Sequence, residues 1–333
     1  MPPPTDLHIT LPALGFGTAT QGGLFEAVRE AQAHEVFTSA WTAGLRYFDT
    51  APWYGFGQAE DRLGTFLRGR DGAVVSSKVG RLLRADVAPH PSQAGAFVTD
   101  GLRNVVYDYS YDGVLRSVEE SLLRLGLERL DIAFIHDPDI VGVSVRELMN
   151  GAHRALTELR DQGVVRAFGA GMNQWQLPLE LARAGDFEVF LLAGRYTLLE
   201  QTSAPFMDYC AEAGIKVVVG GVYNSGLLVD PHPDTPYDYV PVPGDVLARA
   251  LALQAVCTRH DVPLAAAALQ FPLAHPAVST VLTAARTSAQ LEANLVFAAT
   301  PLPDSLWEEL KAEGLLATAA PVPTAQRGTY AGQ

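Results

Sequence analysis

Cysteine is scarce in this chain, with two residues in 333, Cys210 and Cys257. Both lie in apolar helical patterns, where buried, reduced thiols are expected. Charge is also sparse, at 18% of residues, and acidic residues outnumber basic ones by 37 to 24, a net charge of −13. Such a chain lacks the clustered Lys and Arg that nucleic acid or an anionic membrane surface requires, so neither partner is expected. No apolar run approaches the roughly 20 residues that cross a bilayer. The opening MPPPTDLHIT has neither the basic nor the apolar region of a secretory leader, which makes a soluble, cytoplasmic protein the expectation. Several catalytic signatures are missing as well. There is no H-E-x-x-H and no Cys/His cluster, so no metal site is expected, and neither a P-loop nor a G-x-S-x-G elbow occurs. GFGTAT begins like a dinucleotide fingerprint, but Thr20 stands where the third glycine is required. GAGMNQ fails in the same way at Gln174. Any dinucleotide must therefore be bound by other means.

What is present is apolar residues, 48% of the chain, enough for a large core in one domain spanning residues 1–333. Short β-rich runs alternate with longer amphipathic ones. The strands read near Leu14–Gly17, Tyr47–Asp49, Val74–Lys78, Asp131–His136, Ala167–Gly171, Val189–Ala193, Ile215–Val219 and Thr280–Leu282. Helical patterns between them include His34–Ala43, Glu60–Leu67, Gly113–Leu125, Val145–Gln162 and Leu177–Ala184. Eight strand–helix units with nearly continuous apolar strands predict a closed parallel (β/α)₈ TIM barrel, an α/β fold; a doubly wound open sheet is the alternative. Two stretches break the alternation, Arg84–Tyr109 and Leu228–Gly244. Both follow strand C-termini and are expected to overhang the barrel mouth, either as a cover for substrate or as mobile surface. The tail from Ala317 is poor in core-forming residues and is expected to be mobile unless it folds back over the mouth.

Four polar residues close or follow apolar runs: Asp49 and Tyr54 in GLRYFDTAPWYG, Lys78 in GAVVSSKVG, and His136 in LDIAFIHDPD. A parallel barrel gathers its strand C-termini at one mouth, so the four side chains would meet there. A free phenol titrates near pH 10, too high for efficient proton transfer at neutral pH, and an adjacent ammonium would lower that value. In this reading Tyr54 carries the proton and Lys78 tunes it. Asp49 holds Lys78, and His136 binds the reacting oxygen. Singly, each has an ordinary explanation as a turn cap, a packing ring or a solvated strand end. Together they point to a proton transfer coupled to a hydride transfer.

With those residues in place, the chain resembles the aldo-keto reductases along nearly its whole length, from LGFGTA to QLEANL. GLRYFDTAPWYGFGQAEDRLG (Gly44–Gly64) and VEESLLRLGLERLDIAFIHDPD (Val118–Asp139) are similar to signature segments of that family. The resemblance implies that Asp49, Tyr54, Lys78 and His136 form the family's catalytic tetrad. It also implies a nicotinamide cofactor, NAD or NADP, bound extended on the barrel. Within the family the likeness is to bacterial aldose 1-dehydrogenases, of the L-fucose, D-threo-aldose and galactose type, on LLAGRYTLLEQ, GGVYNSGLL, YDY and PLAAAALQFPLAHPAV. Pyridoxal dehydrogenases share much of that pattern. The implied cofactor contacts are Gly17, Thr18, Asp49, Asn173, Ser225, Leu227, Arg286, Gln290 and Asn294, and Trp53, Arg195 and Tyr196 are the implied substrate contacts. Several positions depart from the family. Met172 replaces a Ser before Asn173, the usual stacking Tyr falls near Gly220 (Tyr223 is a substitute), and Gln290 takes the place of an Arg common in NADP-binding members. Losing that charge favours NAD. The implied activity is NAD(P)-dependent oxidation of an aldose to its lactone. The alternatives are pyridoxal oxidation, general carbonyl reduction, or a cofactor-sensing regulatory subunit. Nothing in the sequence fixes an oligomeric state.

Overall fold

The computed structural model describes residues 9–88, 97–99, 103–238 and 240–324. In chain order its strands are β1 (Leu14–Gly17), β2 (Tyr47–Asp49), β3 (Val74–Val79), β4 (Arg81–Arg84), β5 (Asn104–Tyr107) and β6 (Leu130–His136). They are followed by β7 (Val165–Met172), β8 (Val189–Ala193), β9 (Lys216–Gly220), β10 (Pro236–Tyr237), β11 (Val240–Pro241) and β12 (Val278–Thr283). Eight of them close into a barrel in the order β1–β2–β3–β6–β7–β8–β9–β12, and every barrel pairing is parallel. This is the (β/α)₈ barrel expected from the alternation, not the open sheet. Strand bounds differ from the expected ones by no more than two residues.

The alternation of side chains along a strand sorts the core into two layers. Tyr47, Ile132, Phe134, Ala167, Val189, Leu191, Val218 and Leu282 pack together with Ile9 as one cluster inside the barrel. Their strand neighbours Phe48, Val75, Ala133, Ile135, Phe168, Phe190, Leu192, Val217 and Val219 belong to the larger cluster between sheet and helices. The same period of two continues to the strand ends. Asp49 follows Tyr47 on the inward face, Lys78 follows Ser76, and His136 follows Ile132 and Phe134. Three polar groups thereby top an apolar interior at the mouth.

Sequence reasoning missed structure in both irregular stretches. The segment read as a loop from Arg84 to Tyr109 is tied at its ends, because β4 and β5 pair antiparallel from Arg81↔Tyr107 to Arg84↔Asn104. Residues 89–96 and 100–102 of that segment lie outside the described residues. In the second stretch β10 and β11 pair antiparallel through Pro236↔Pro241 and Tyr237↔Val240, and Tyr239 lies outside the described residues. The helix expected over Val145–Gln162 runs as Val145–Leu148 and Arg154–Asp161 joined by a π turn at Met149–His153. The tail expected to be mobile touches the core through Ala320 and Val322, while residues 325–333 lie outside the described part. No helix among the described residues is long and apolar enough to cross a membrane, and no metal-binding cluster occurs among them.

Gly169 fixes how closely β7 and β8 approach. A Cβ built there would sit 1.5 Å from the Val189 carbonyl oxygen, which is backbone and has nowhere to go. We expect Gly169→Ala to cost at least about 3 kcal/mol, the upper end of overpacking penalties. Chemical denaturation measures it, and an unchanged unfolding midpoint would contradict the tight barrel seam.

Candidate active site

The mouth opens as a cleft lined by Gly17, Asp49, Trp53, Tyr54, Lys78, His136, Asp137 and Asn173, among others. It thus brings together all four residues of the expected tetrad. Lys78 is 2% exposed. Its Nζ donates to Asp49 Oδ2 at 2.7 Å and to the Thr50 carbonyl at 2.9 Å. Asp49 Oδ1 accepts from Ser76 Oγ at 2.7 Å, and Ser76 in turn shares a 3.0 Å hydrogen bond with the Tyr47 hydroxyl. Both carboxylate oxygens are therefore committed within the protein. Burial works against the Lys78 charge, yet Asp49 and Tyr54 outweigh it and raise the pKa above the ordinary lysine value.

Tyr54 sits in the loop after β2, with the Lys78 ammonium 4.5 Å from its ring centroid. The loop is seated by glycine. Gly55 has φ +63, and a Cβ there would lie 2.3 Å from the Gly22 carbonyl oxygen. Only Gly adopts this conformation against that neighbour without strain. The electrostatics depart from the sequence expectation. Burial raises the Tyr54 pKa more than Lys78 lowers it, and the phenol is pushed up to about 12. Lys78 thus limits the rise instead of producing a net drop. Tyr54 is therefore a protonated phenol at neutral pH, and its phenolate form grows only as the pH rises.

His136 is 4% exposed. Burial first, then Arg81 and Lys78, push its pKa well below the usual imidazole range. A neutral ring carries one N–H and can donate to an uncharged oxygen. Its plane stands nearly perpendicular to Tyr54, with centroids 6.0 Å apart. Sequence reasoning gave no weight to the groups behind it. Asp137 Oδ2 lies 3.4 Å from His136 Nε2 and accepts from Arg81 Nη2 at 2.6 Å. Arg81 is 1% exposed and stacks on Trp53, with its Cζ 4.3 Å from the ring centroid. The available signal was a pair of charges inside apolar runs, Arg81 in VGRLL and Asp137 in IHDPD. Phe97 also joins the site, 5.2 Å from Trp53 between centroids.

The cleft extends past Asn173 along Gly194, Gly221, Tyr223, Ser225, Gly226 and Arg286. Small residues leave a slot there, and Asn224, Ser225 and Gly226 turn with φ of 46, 61 and 98. The polar atoms Thr283 Oγ1, Asn224 Oδ1 and Arg286 Nε are buried without a hydrogen-bond partner in the protein. A long polar ligand such as a dinucleotide fits this lining. Gly17, Asn173, Ser225 and Arg286 border the cleft as expected. Thr18 is buried beside it, its amide donating to the Asp49 carbonyl.

Other expected contacts are placed elsewhere, and each has a physical reason. Leu227 is fully buried in the outer core. Tyr196 is 2% exposed and stacks on Phe271, so its ring is core, not pocket wall. Arg195 is spent on Asp238, at 3.2 and 2.6 Å, and on Glu200. Gln290 Oε1 accepts the Arg286 amide at 2.7 Å in the turn before the helix Ser288–Ala299. Asn294 accepts from the Tyr223 hydroxyl at 2.9 Å and donates to the Ala284 carbonyl at 3.0 Å. It supports the slot from behind, and Tyr223 itself borders the slot.

The pair Lys78–Asp49 yields a prediction independent of any substrate. Asp49→Asn removes the partner of a buried ammonium and should destabilise the fold by about 3–5 kcal/mol. Urea unfolding tests this, and a loss below about 1 kcal/mol would show the pair to be solvated, not shielded.

Three kinds of comparison bear on this site. Residues 13–313 match the sequence model of the aldo/keto reductase family. Pyridoxal 4-dehydrogenase of Microbacterium luteolum is 40% identical over 326 residues, covering 92% of this chain and 95% of that protein. D-threo-aldose 1-dehydrogenase of a Pseudomonas species is 40% identical over 319 residues, covering 93% and 96%. Among solved structures, an aldo-keto reductase of Bacillus halodurans in its holo form superposes with a TM-score of 0.73 at 24% identity, over 92% of this chain and 93% of that one. That likeness concerns the fold. Matched over most of its length by the family model and by two relatives at 40% identity, this chain is a member of the aldo/keto reductase family.

Proposed function

We propose that this oxidoreductase uses a nicotinamide dinucleotide to oxidise the anomeric hydroxyl of an aldose to its lactone. The observation that carries the reading is the convergence of Lys78, Asp49 and His136 on Tyr54 in one cleft. Bound in the slot, the dinucleotide would supply the hydride acceptor. Asn173, Gly17, Thr18, Ser225 and Arg286 would hold it. Tyr54, as the phenolate that the Lys78 ammonium stabilises, takes the hydroxyl proton as general base, and the resulting phenol releases that proton to solvent before the next turnover. Asp49 keeps Lys78 charged and fixed. Neutral His136 donates to the reacting oxygen and orients it. Run in reverse, the same four groups reduce a carbonyl with Tyr54 as the acid.

The identity to a pyridoxal 4-dehydrogenase supports a second substrate equally well. Aldoses and pyridoxal share a property: each closes its aldehyde on an internal hydroxyl to a cyclic hemiacetal. Trp53, Tyr54 and Phe97 give the cleft the aromatic lining that either an aromatic ring or the C–H face of a sugar can stack on. For the cofactor, the slot's charge favours NAD. Arg286 donates to the Leu24 carbonyl at 2.8 Å and pairs with Glu26 at 3.1 Å, so a carboxylate already occupies the guanidinium that a 2′-phosphate would seek.

Formation of reduced cofactor should appear with NAD⁺ in preference to NADP⁺ on a panel of L-fucose, D-arabinose, L-xylose, both galactose enantiomers and pyridoxal. Turnover of simple aldehydes alone would discard the hemiacetal reading. Glu26→Gln should narrow the preference for NAD⁺, and an unchanged kcat/KM ratio would remove Glu26 from cofactor choice. Tyr54→Phe should lower kcat by about 10²–10⁴-fold while leaving dinucleotide affinity within about twofold. A variant keeping a tenth of wild-type kcat would dismiss Tyr54 as the proton carrier. With the phenol near pKa 12, the ionised base grows as pH rises, so oxidation should accelerate from pH 7 to 10. An oxidation optimum below pH 7 would contradict that role.

A further inference from the structure

The cleft holds a second carboxylate that the proton relay does not use. Asp137 follows His136 directly and lines the same pocket as Tyr54, Trp53 and Phe97. Its backbone is left-handed, with φ 42 and ψ 56, a conformation that costs a non-glycine residue energy and gathers at functional sites. The turn is held from both sides. The Asp137 amide donates to the Gly171 carbonyl at 3.1 Å, and the Tyr109 hydroxyl donates to the His136 carbonyl at 2.5 Å. Arg81 takes only Oδ2. Oδ1 accepts no hydrogen bond from the described residues and is not sealed from solvent. It therefore retains acceptor capacity at the pocket surface.

A carboxylate accepts hydrogen bonds and donates none while ionised. The wall of the same pocket includes the aromatic rings of Trp53, Tyr54 and Phe97. Water that leaves this wall on substrate binding must be replaced by a donor, or the buried acceptor is left unpaired at a cost. The donor belongs to the substrate, because Asp137 Oδ2 sits 3.4 Å from Nε2 of His136, the ring that would donate to the reacting oxygen. The group beside that oxygen on a sugar or hydroxyaldehyde is the hydroxyl of the adjacent carbon.

We propose that Asp137 is a specificity-determining residue, its Arg81-anchored carboxylate accepting a hydrogen bond from a hydroxyl on the carbon next to the reacting one. The inference rests on the proposed carbonyl–alcohol chemistry of the site and narrows it to vicinally hydroxylated substrates. Arg81 is then a positioning residue. Sandwiched against Trp53, it keeps the carboxylate charged and aimed. Burial alone would push Asp137 up, and its pKa settles at about 6, because Arg81 and Lys78 oppose the rise. The group is therefore mostly ionised at neutral pH.

The test compares substrates that differ by one hydroxyl. L-Fucose and 2-deoxy-L-fucose are oxidised with NAD⁺, and lactaldehyde and propanal are reduced with NADH, by the wild type and by Asp137→Asn. The wild type should prefer the hydroxylated member of each pair by about 10- to 100-fold in kcat/KM, as a hydrogen bond to a charged group implies. In the variant both ratios should fall toward one. Equal rates within each pair for the wild type overturn the proposal, and so does a preference that survives the substitution. If Asp137→Asn fails to fold, Asp137→Glu carries the test. It keeps the charge for Arg81 but moves the acceptor, and the ratio should still collapse. Inert sugars with an Asp137-dependent preference for lactaldehyde would uphold this inference while discarding the aldose reading. Silence on all four compounds would overturn both.

Discussion

Everything at the mouth depends on one buried ion pair, Lys78 with Asp49. An ammonium taken out of water costs several kcal/mol unless it is paired and its protons are satisfied. Asp49, the Thr50 carbonyl and Tyr54 together meet that demand. Ser76 and Tyr47 hold the far side of the carboxylate, so the pair is braced by the two strands that supply it. The low-dielectric interior that makes the pair expensive also makes its field strong at the phenol. Burial and field oppose each other at Tyr54, and burial wins. The phenol is thereby held protonated at neutral pH.

A second pair, Arg81 with Asp137, stands on the other side of His136. The imidazole lies between two cations and stays neutral, which suits a donor to an uncharged oxygen. In the proposed reaction the cleft has a proton-transfer side centred on Tyr54 and a recognition side centred on Asp137. His136 joins them. The long slot toward Arg286 is built differently, from small residues and backbone turns, with few charged groups.

Much of the barrel was legible because strand periodicity is a local signal. The inward positions of Asp49, Lys78 and His136 follow from the same alternation that buries Tyr47, Ser76 and Phe134. The gathering of the tetrad into one cleft follows from closure. What escaped the sequence was non-local. The pairing of β4 with β5 joins segments about twenty residues apart with no tight-turn signal between them. The inward turn of Tyr196 and Leu227 depends on packing partners such as Phe271, far along the chain. The sign of the Tyr54 shift was missed for a related reason: a neighbouring charge can be guessed from motif spacing, whereas the depth of burial cannot. Arg81 and Asp137 were visible as residues, but only the fold showed that they meet.

The seat of Tyr54 on Gly22 bears on how such a barrel diversifies. Two backbones press together there without an intervening side chain, so neither loop can change length or sequence alone without displacing the phenol. Phe97 and Asp238, by contrast, come from long segments at the rim, where a bridge to Leu24 and an ion pair to Arg195 are among the contacts that hold them. New substrates can be explored by lineages of this enzyme through the rim alone, with the chemistry carried along unchanged.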